Sequence, residues 1–174
     1  MPLTPQELAP YLRRIRDRVA AEGPKRAAYG MARAFHREVS DATLVRTSHA
    51  RGTITPSAPG EPPAIISGGL KRSLRLYPAE PAGALRARSH VSPLVIYARI
   101  QERGGVVEAR HTFTDRYGHV RPGYLKFSYG GSTHFARRVV LPARPYMRPT
   151  RDQMVSDGRL RRAAIESQRG LLHG

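Results

Sequence analysis

Apolar residues recur at helical spacing over the first forty positions of the chain. Thr4-Pro5-Gln6-Glu7 predicts a helix start, because threonine is a good cap, proline suits the first helical position, and glutamate closes a capping box. Gly23-Pro24 then interrupts the pattern, so 1–42 is predicted to form two helices or one kinked helix. The two narrow stripes are Leu8, Leu12, Ile15 and Val19, followed by Ala28, Met31, Phe35 and Val39. They either lie on a sheet with a solvated back, or they contact a neighbouring subunit in part.

Regular periodicity stops over 43–66. Residues 45–55 are compatible with a weak strand. Regular structure is disfavoured around the S-A-P-G-E-P-P-A stretch by four prolines and two glycines, which are Pro56, Pro59, Pro62, Pro63, Gly52 and Gly60. A segment of this length without structure is uncommon inside a compact domain. Two interpretations remain open: a surface loop, or an arm that becomes ordered against another chain.

Alternating apolar and polar positions over 67–149 predict an antiparallel sheet of four or five strands. Leu74 and Leu76 lead into a hairpin whose return strand covers 84–91, and Asp115-Arg116-Tyr117-Gly118 predicts a turn between two further strands. Alternation resumes over 125–129, Gly130-Gly131 breaks it, and 135–141 gives one more strand.

A short central helix is predicted at 93–103, inside the stretch S-P-L-V-I-Y-A-R-I-Q-E-R-G-G. Ser92 can cap it, Pro93 suits its first position, and Gly104 can take the left-handed conformation that ends it. Its first residues are apolar on all sides, so we expect them to be buried. A second capping box, Thr150-Arg151-Asp152-Gln153, predicts a C-terminal helix over 150–170 with a possible kink at Asp157-Gly158. The prediction is therefore one α+β domain over 1–174.

The charge of the chain narrows the classes of partner. The formal net charge is +17, from 30 Lys and Arg against 13 Asp and Glu, and residues 45–147 account for 16 of these bases and 5 of these acids. Such an excess is typical of proteins that bind nucleic acid or an acidic protein surface. No apolar run is long enough to span a membrane, the N-terminus lacks the pattern of a signal peptide, and no cysteine is present. We expect no membrane partner and no disulfide.

Residues that would support catalysis or metal binding are sparse. There is no H-E-x-x-H, no G-x-S-x-G and no phosphate-binding fingerprint, and the acids are few and scattered. We therefore expect no enzyme, no metal and no cofactor, although a cluster of His111, His119 and His134 stays open as an alternative. Arginine–aromatic neighbours such as Arg116-Tyr117 favour nucleic-acid binding, but no known RNA- or DNA-binding motif accompanies them. The seven histidines are His36, His49, His90, His111, His119, His134 and His173.

Three segments, in order, carry a resemblance to a known class of protein. They are S-G-G-L-K-R-S-L at 67–74, Y-A-R-I-Q-E-R-G-G at 97–105 and P-A-R-P-Y at 142–146. Together they resemble the tail-completion and head-to-tail connector proteins of tailed bacteriophages, in particular the phage Mu virion-morphogenesis (G protein) family and the related lambdoid tail-component family. The matching residues are Gly68, Leu70 and Ser73, then Tyr97, Ala98, Glu102, Gly104 and Gly105, then Pro142, Ala143, Arg144, Pro145 and Tyr146. Ser67 stands where threonine is usual, and Tyr146 replaces phenylalanine.

The resemblance implies a non-enzymatic virion protein, assembled in the host cytoplasm and located in the neck or tail. Its implied form is a homo-oligomeric ring, commonly a hexamer, between head-completion proteins and the tail tube. The arginine surplus would face acidic surfaces of adjacent rings or DNA passing through a channel. Glu102 is expected to pair with Arg144, within or between subunits, because the second and third segments carry opposite charges at fixed places. The rival interpretation is a free-standing basic nucleic-acid-binding protein.

Overall fold

The computed structural model describes residues 5–44, 56–129 and 132–171. Its first element is α1, a single helix over Pro5–Arg37 that continues through Gly23-Pro24 and ends in a π-helical turn at Glu38–Thr43. The predicted cap at Thr4, the weak strand over 45–55 and the break at Gly130-Gly131 lie outside the described residues. The other helices are α2 (Gly69–Ser73), α3 (Ala98–Arg103), α4 (Arg148–Ser156) and α5 (Arg159–Gln168), with a 3-10 turn at Arg169–Leu171.

The C-terminal helices pack along α1. Gly158 takes a φ of +72° and separates α4 from α5, which is where the sequence predicted a kink. From there α5 runs antiparallel to α1: Arg159 pairs with Glu38 at 2.8 Å, and Gln168 Nε2 donates to Gly23 O at 2.9 Å. The helices are in close contact at Gly30. A Cβ built there would lie 2.6 Å from the Cβ of Ser167.

The strands form two-stranded antiparallel ladders, so the prediction of one four- or five-stranded sheet is wrong. β1 pairs with β4 and β2 with β3, which makes one long interrupted hairpin; β5 pairs with β10, and the hairpins β6–β7 and β8–β9 lie between them in sequence. Within the described residues, each strand is hydrogen-bonded to one partner strand only. The strands are β1 (Leu74–Leu76), β2 (Glu80–Gly83), β3 (Arg86–Arg88), β4 (Val91–Pro93), β5 (Gly105–Glu108), β6 (Thr112–Thr114), β7 (Val120–Pro122), β8 (Leu125–Tyr129), β9 (Ser132–Ala136) and β10 (Arg138–Leu141).

The central helix is shorter than predicted, and the residues before it are not buried. Ser92 and Pro93 belong to β4, and the Leu94 N–H extends the same ladder by donating to Ser73 O at 3.1 Å. Strand pairing thus takes up the residues that were expected to start the helix. The turn that follows leaves Ile96 97% exposed. The helix stop at Gly104 is confirmed, with a φ of +68°.

The largest buried side chains meet at the end of α1. Val39 and Leu44 pack there with Leu74 of β1 and with Tyr146, each at most 3% exposed. Phe35, Ile65, Leu70, Val91 and Met147 surround them. The core is therefore built from segments that are far apart in the sequence, and the α+β class is confirmed.

The described part of the predicted arm, 56–66, lies on its own chain. Gly60 N–H donates to Ala143 O, and Arg144 Nε donates to Ser57 O, both at 2.9 Å. Pro63 and Ser57 are buried. Residues 56–66 are thus ordered by contacts within the subunit. None of the helices in the described part of the chain combines the length and the apolar composition of a membrane-spanning segment.

Candidate functional site: the motif cluster

The three segments that carry the family resemblance touch one another. We call residues 67–74, 97–105 and 142–146 the motif cluster. α2 lies in the first segment, α3 in the second, and the third connects β10 to α4. The cluster borders the core, to which it contributes Leu74 and Tyr146 directly.

Glu102 joins the second segment to the start of α4. Its Oε2 accepts the N–H groups of Tyr146 at 2.8 Å and Met147 at 3.0 Å, and its Oε1 accepts the N–H of Arg148 at 2.8 Å. These donors lie at the N-terminal end of α4, where N–H groups have no partner within a helix and a negative charge is favourable. Glu102 is therefore the cap of α4, supplied from another helix 44 residues earlier in sequence. The predicted cap residue, Thr150, lies inside the helix.

The predicted pair of Glu102 and Arg144 does not form within the subunit. The Arg144 side chain instead donates to Ser57 O, and its backbone N–H donates to Gln101 O at 2.7 Å. Both residues join the segments, but through backbone partners. The opposite charges in the two segments suggested an ion pair, whereas the carboxylate meets a row of N–H groups.

Gly104 is required by a close approach between the second and third segments. Its φ is +68°, and a Cβ built on it would lie 2.7 Å from the backbone N of Ala143 and 3.0 Å from Leu141 O. Gly105, at φ +151°, then starts the pairing of β5 with β10. Any larger residue at 104 would separate the two backbones, since real Cβ atoms do not approach backbone nitrogen this closely.

The first segment packs beside Tyr97. Gly68 precedes α2 with a φ of +72°, and the Ser73 hydroxyl closes the helix by donating to Leu70 O at 2.8 Å. A Cβ at Gly69 would lie 2.8 Å from the Tyr97 hydroxyl. A groove of about 200 Å³ runs along this contact. Its lining consists of Leu44, Pro63–Lys71, Tyr97 and Gln101, without an acid or a histidine among them.

Tyr146 is the buried anchor of the third segment. Burial raises the pKa of its phenol well above the ordinary value, and the nearby Glu102 charge adds to the effect. Its backbone carbonyl accepts the Thr150 hydroxyl at 2.6 Å, and the Thr150 and Thr43 hydroxyls lie 2.8 Å apart. Because Thr150 donates to the carbonyl, Thr43 donates to Thr150. This buried chain of hydroxyls ties the end of α1 to α4.

The histidines of the predicted alternative cluster lie on two different hairpins. His119 Nδ1 lies 3.5 Å from Asp115 beside β7, while the His134 ring stacks on Phe127 in the β8–β9 hairpin at 5.7 Å. His111 lies against Gly123, at the junction of the two hairpins. Over residues 5–44, 56–129 and 132–171, no group of three or more histidines or acids could hold a metal ion. His49 and His173 lie outside these ranges.

Sequence reasoning missed the ion pair that connects α5 to the end of α1. Arg159 lies 2.8 Å from Glu38 and 2.7 Å from Asp157, and hydrogen bonds to these two carboxylates, Glu38 first, raise the arginine pKa. Glu38 and Arg159 are 121 positions apart, so no local pattern could have revealed them. Asp157 just before an arginine in D-G-R was the one available signal, and it indicated only the turn.

Comparison of the chain with protein-family models, with curated proteins and with solved structures finds no match. The resemblance to phage connector and tail-completion families therefore stays a prediction that depends on the three segments of the motif cluster.

Proposed function

We propose that this chain is a structural subunit of a tailed bacteriophage or phage-like particle. In this proposal it forms a homo-oligomeric ring, of six copies by the family pattern, at the head-tail junction, as a connector, tail-completion or tail-terminator subunit. It carries out no catalysis. Its partners are further copies of itself, head-completion proteins on one side and tail-tube or tail-terminator proteins on the other, with DNA passing through the channel. Its location is the virion neck or tail after assembly in the host cytoplasm.

The observation that carries the proposal is the amount of apolar surface left uncovered. Among the described residues, 18 large hydrophobic side chains are exposed, whereas nine hydrophobic residues are buried. A stable monomer normally covers more of its large apolar side chains than this, and uncovered ones mark interaction sites when they form patches. This exposed apolar area supports the proposal, because contacts with neighbouring copies would cover it.

The N-terminal half of α1 is one such patch. Leu8 and Leu12 are 45% and 54% exposed, and Ile15 and Val19 on the same stripe are only partly covered. Their spacing of four, three and four residues is that of a helix–helix seam. An isolated helix of this kind is marginal in water, so a packing partner would stabilise it. We assign this stripe to contacts between subunits.

The motif cluster supports the proposal in a different way. The segments that carry the family resemblance are joined to one another through Glu102, Gly104 and Arg144, so they form one connected unit. A ring subunit needs such a unit, since its outward surfaces must keep a fixed geometry around a closed rotation axis. The resemblance and the contacts thus point to the same residues.

Native mass spectrometry of the purified full chain tests the proposal. We expect a ring-sized oligomer, and we expect Leu8→Glu combined with Leu12→Glu to convert it to smaller species. The control matched in charge change is Arg13→Gln with Arg14→Gln, exposed positions off the stripe, which should leave the oligomer intact. A wild-type monomer that also fails to assemble onto isolated tail tubes would overturn the proposal.

The second candidate is a free-standing basic nucleic-acid-binding protein. The net charge of +17 favours it. A salt titration of DNA binding on the same preparation separates the two: a monomer that binds DNA with a steep salt dependence supports this candidate and counts against the ring.

A further inference from the structure

The two hairpins between β5 and β10 pack only weakly against the rest of the described structure. We call the described residues 109–129 and 132–137 the hairpin branch. The β6–β7 and β8–β9 hairpins have their principal contacts within themselves, and Phe127 and Phe135, on opposite faces of β8–β9, are 38% and 64% exposed. A two-stranded hairpin alone is marginally stable in water. The hairpin branch is therefore a candidate to bind a partner on its open faces.

The charge of the hairpin branch defines the kind of partner. It contains five Arg and Lys residues and one acid, Asp115. That acid is already used in the turn: its Oδ1 accepts the N–H groups of Tyr117 and His119, and its Oδ2 lies 3.1 Å from Arg121 Nε. These donors, led by the His119 N–H, lower the Asp115 pKa. The charge that the hairpin branch presents to a partner is therefore positive, and a partner should be negatively charged.

Exposed aromatic rings alternate with these bases. The Arg116 guanidinium lies 4.8 Å from the centre of the Tyr117 ring, and the Arg137 guanidinium lies 5.5 Å from that of Tyr124. Tyr117 is 68% exposed at the tip of its hairpin. Guanidinium groups held in this way are pre-oriented, so they lose less freedom when they bind an anion.

We propose that the hairpin branch binds the phosphate backbone of DNA. A two-stranded ribbon fits the width of the DNA major groove, and arginine and lysine contacts to phosphates dominate sequence-independent binding. The same surface of a second copy is a poorer occupant, because it carries the same five bases against one acid. This inference deepens the proposed function. It rests on the proposed function for the location of the DNA, which is the channel of the ring. The binding of DNA by the hairpin branch is itself a property of the single chain.

The test is the salt dependence of binding of the full chain to a duplex of about 20 base pairs, a length that exceeds one helical turn. The branch variant combines Arg110→Gln, Lys126→Gln and Arg137→Gln, and the control combines Arg13→Gln, Arg14→Gln and Arg18→Gln on α1, with the same change in net charge. Each lost phosphate contact reduces the slope of log K against log salt by about 0.9, so we expect the branch variant to lose about 2 to 3 units of slope. The control should lose less than about 1 unit.

Two further measurements keep the outcome decisive. The single variants Arg110→Gln and Lys126→Gln, at exposed positions, should each lose about one unit of slope even if the triple variant folds poorly. Polyglutamate is the second probe, to represent an acidic protein surface. Equal loss of slope in branch and control variants overturns the proposal, and so does polyglutamate binding that matches the duplex in strength and in its dependence on the three branch bases.

The same samples separate this proposal from the proposed function. A monomer whose DNA binding depends on the branch bases would remove the ring and leave the hairpin branch as a DNA contact. A ring whose DNA binding does not depend on those bases would support the proposed function and overturn the assignment of the hairpin branch as a DNA contact.

Discussion

Replacing Glu102 by glutamine tests whether the motif cluster is held together as the structure indicates. Glu102→Gln keeps the length of the side chain and removes its charge. The two carboxylate oxygens accept three backbone N–H groups, at 2.8, 3.0 and 2.8 Å. In the variant an NH₂ group replaces one oxygen, so at least one N–H loses its acceptor and faces another donor.

The expected loss follows from the energy of these bonds. A hydrogen bond to a charged group contributes about 1.5–3 kcal/mol, and the variant also loses the favourable charge at the N-terminus of α4, so we expect destabilisation of about 2–3 kcal/mol. At about 2–4 °C per kcal/mol for a chain of this size, the melting temperature should fall by about 4–12 °C. Thermal unfolding followed by circular dichroism measures this shift.

Glu108→Gln is the matched control. The Glu108 carboxylate is 63% exposed and lies 3.8 Å from Arg138 Nε, so its removal should change stability by less than about 0.5 kcal/mol. Glu102→Asp, which keeps the charge but shortens the side chain, should fall between the two. If Glu102→Gln melted at the same temperature as Glu108→Gln, Glu102 would not be the cap that joins the segments.

Three further predictions concern glycine contacts and the buried tyrosine. Gly104→Ala should destabilise the protein by about 1–3 kcal/mol more than Gly118→Ala in chemical denaturation. Both glycines have positive φ (+68° and +80°), but only at Gly104 would the added Cβ meet backbone atoms. Equal losses of stability would contradict the close approach. Gly30→Ala should lower the melting temperature because its Cβ would meet Ser167, although alanine favours helix by about 1 kcal/mol. Adding Ser167→Gly should restore part of the loss. A Gly30→Ala protein more stable than the wild type would contradict the contact between α1 and α5. Burial raises the Tyr146 pKa in the folded state, so the unfolded state releases the phenolic proton first, and the protein should lose stability as pH rises above about 10. Tyr146→Phe should reduce this loss in denaturant titrations at pH 8 to 11. An unchanged dependence of stability on pH would contradict the prediction.

Local patterns predicted the elements of this fold better than their arrangement. The helical stripes located α1, alternation located β8 and the return strand of the first hairpin, and glycine chemistry located the helix stop at Gly104 and the break at Gly158. Each of these signals depends on neighbours a few residues apart. The prediction of a single sheet failed because alternation indicates that a segment is a strand but not which other strand it pairs with.

The contacts of the candidate site were out of reach for the same reason. The resemblance selected Glu102 and Arg144, and their opposite charges suggested that they would bind each other. Their real partners are backbone groups, which every residue carries, so sequence alone cannot indicate which of them lie nearby. The start of the central stretch shows a related limit. Leu94, Ile96 and Tyr97 are exposed, because an apolar run is buried only when other elements pack against it.

The most direct test of the account is to delete the gene for this chain from a genome that produces particles and to examine the lysate by electron microscopy. The proposed function predicts filled heads and separate tails that do not join, with infectivity restored by the wild-type chain supplied in trans. The account is contradicted if the deletion yields intact, joined particles and the tagged chain is absent from purified virions.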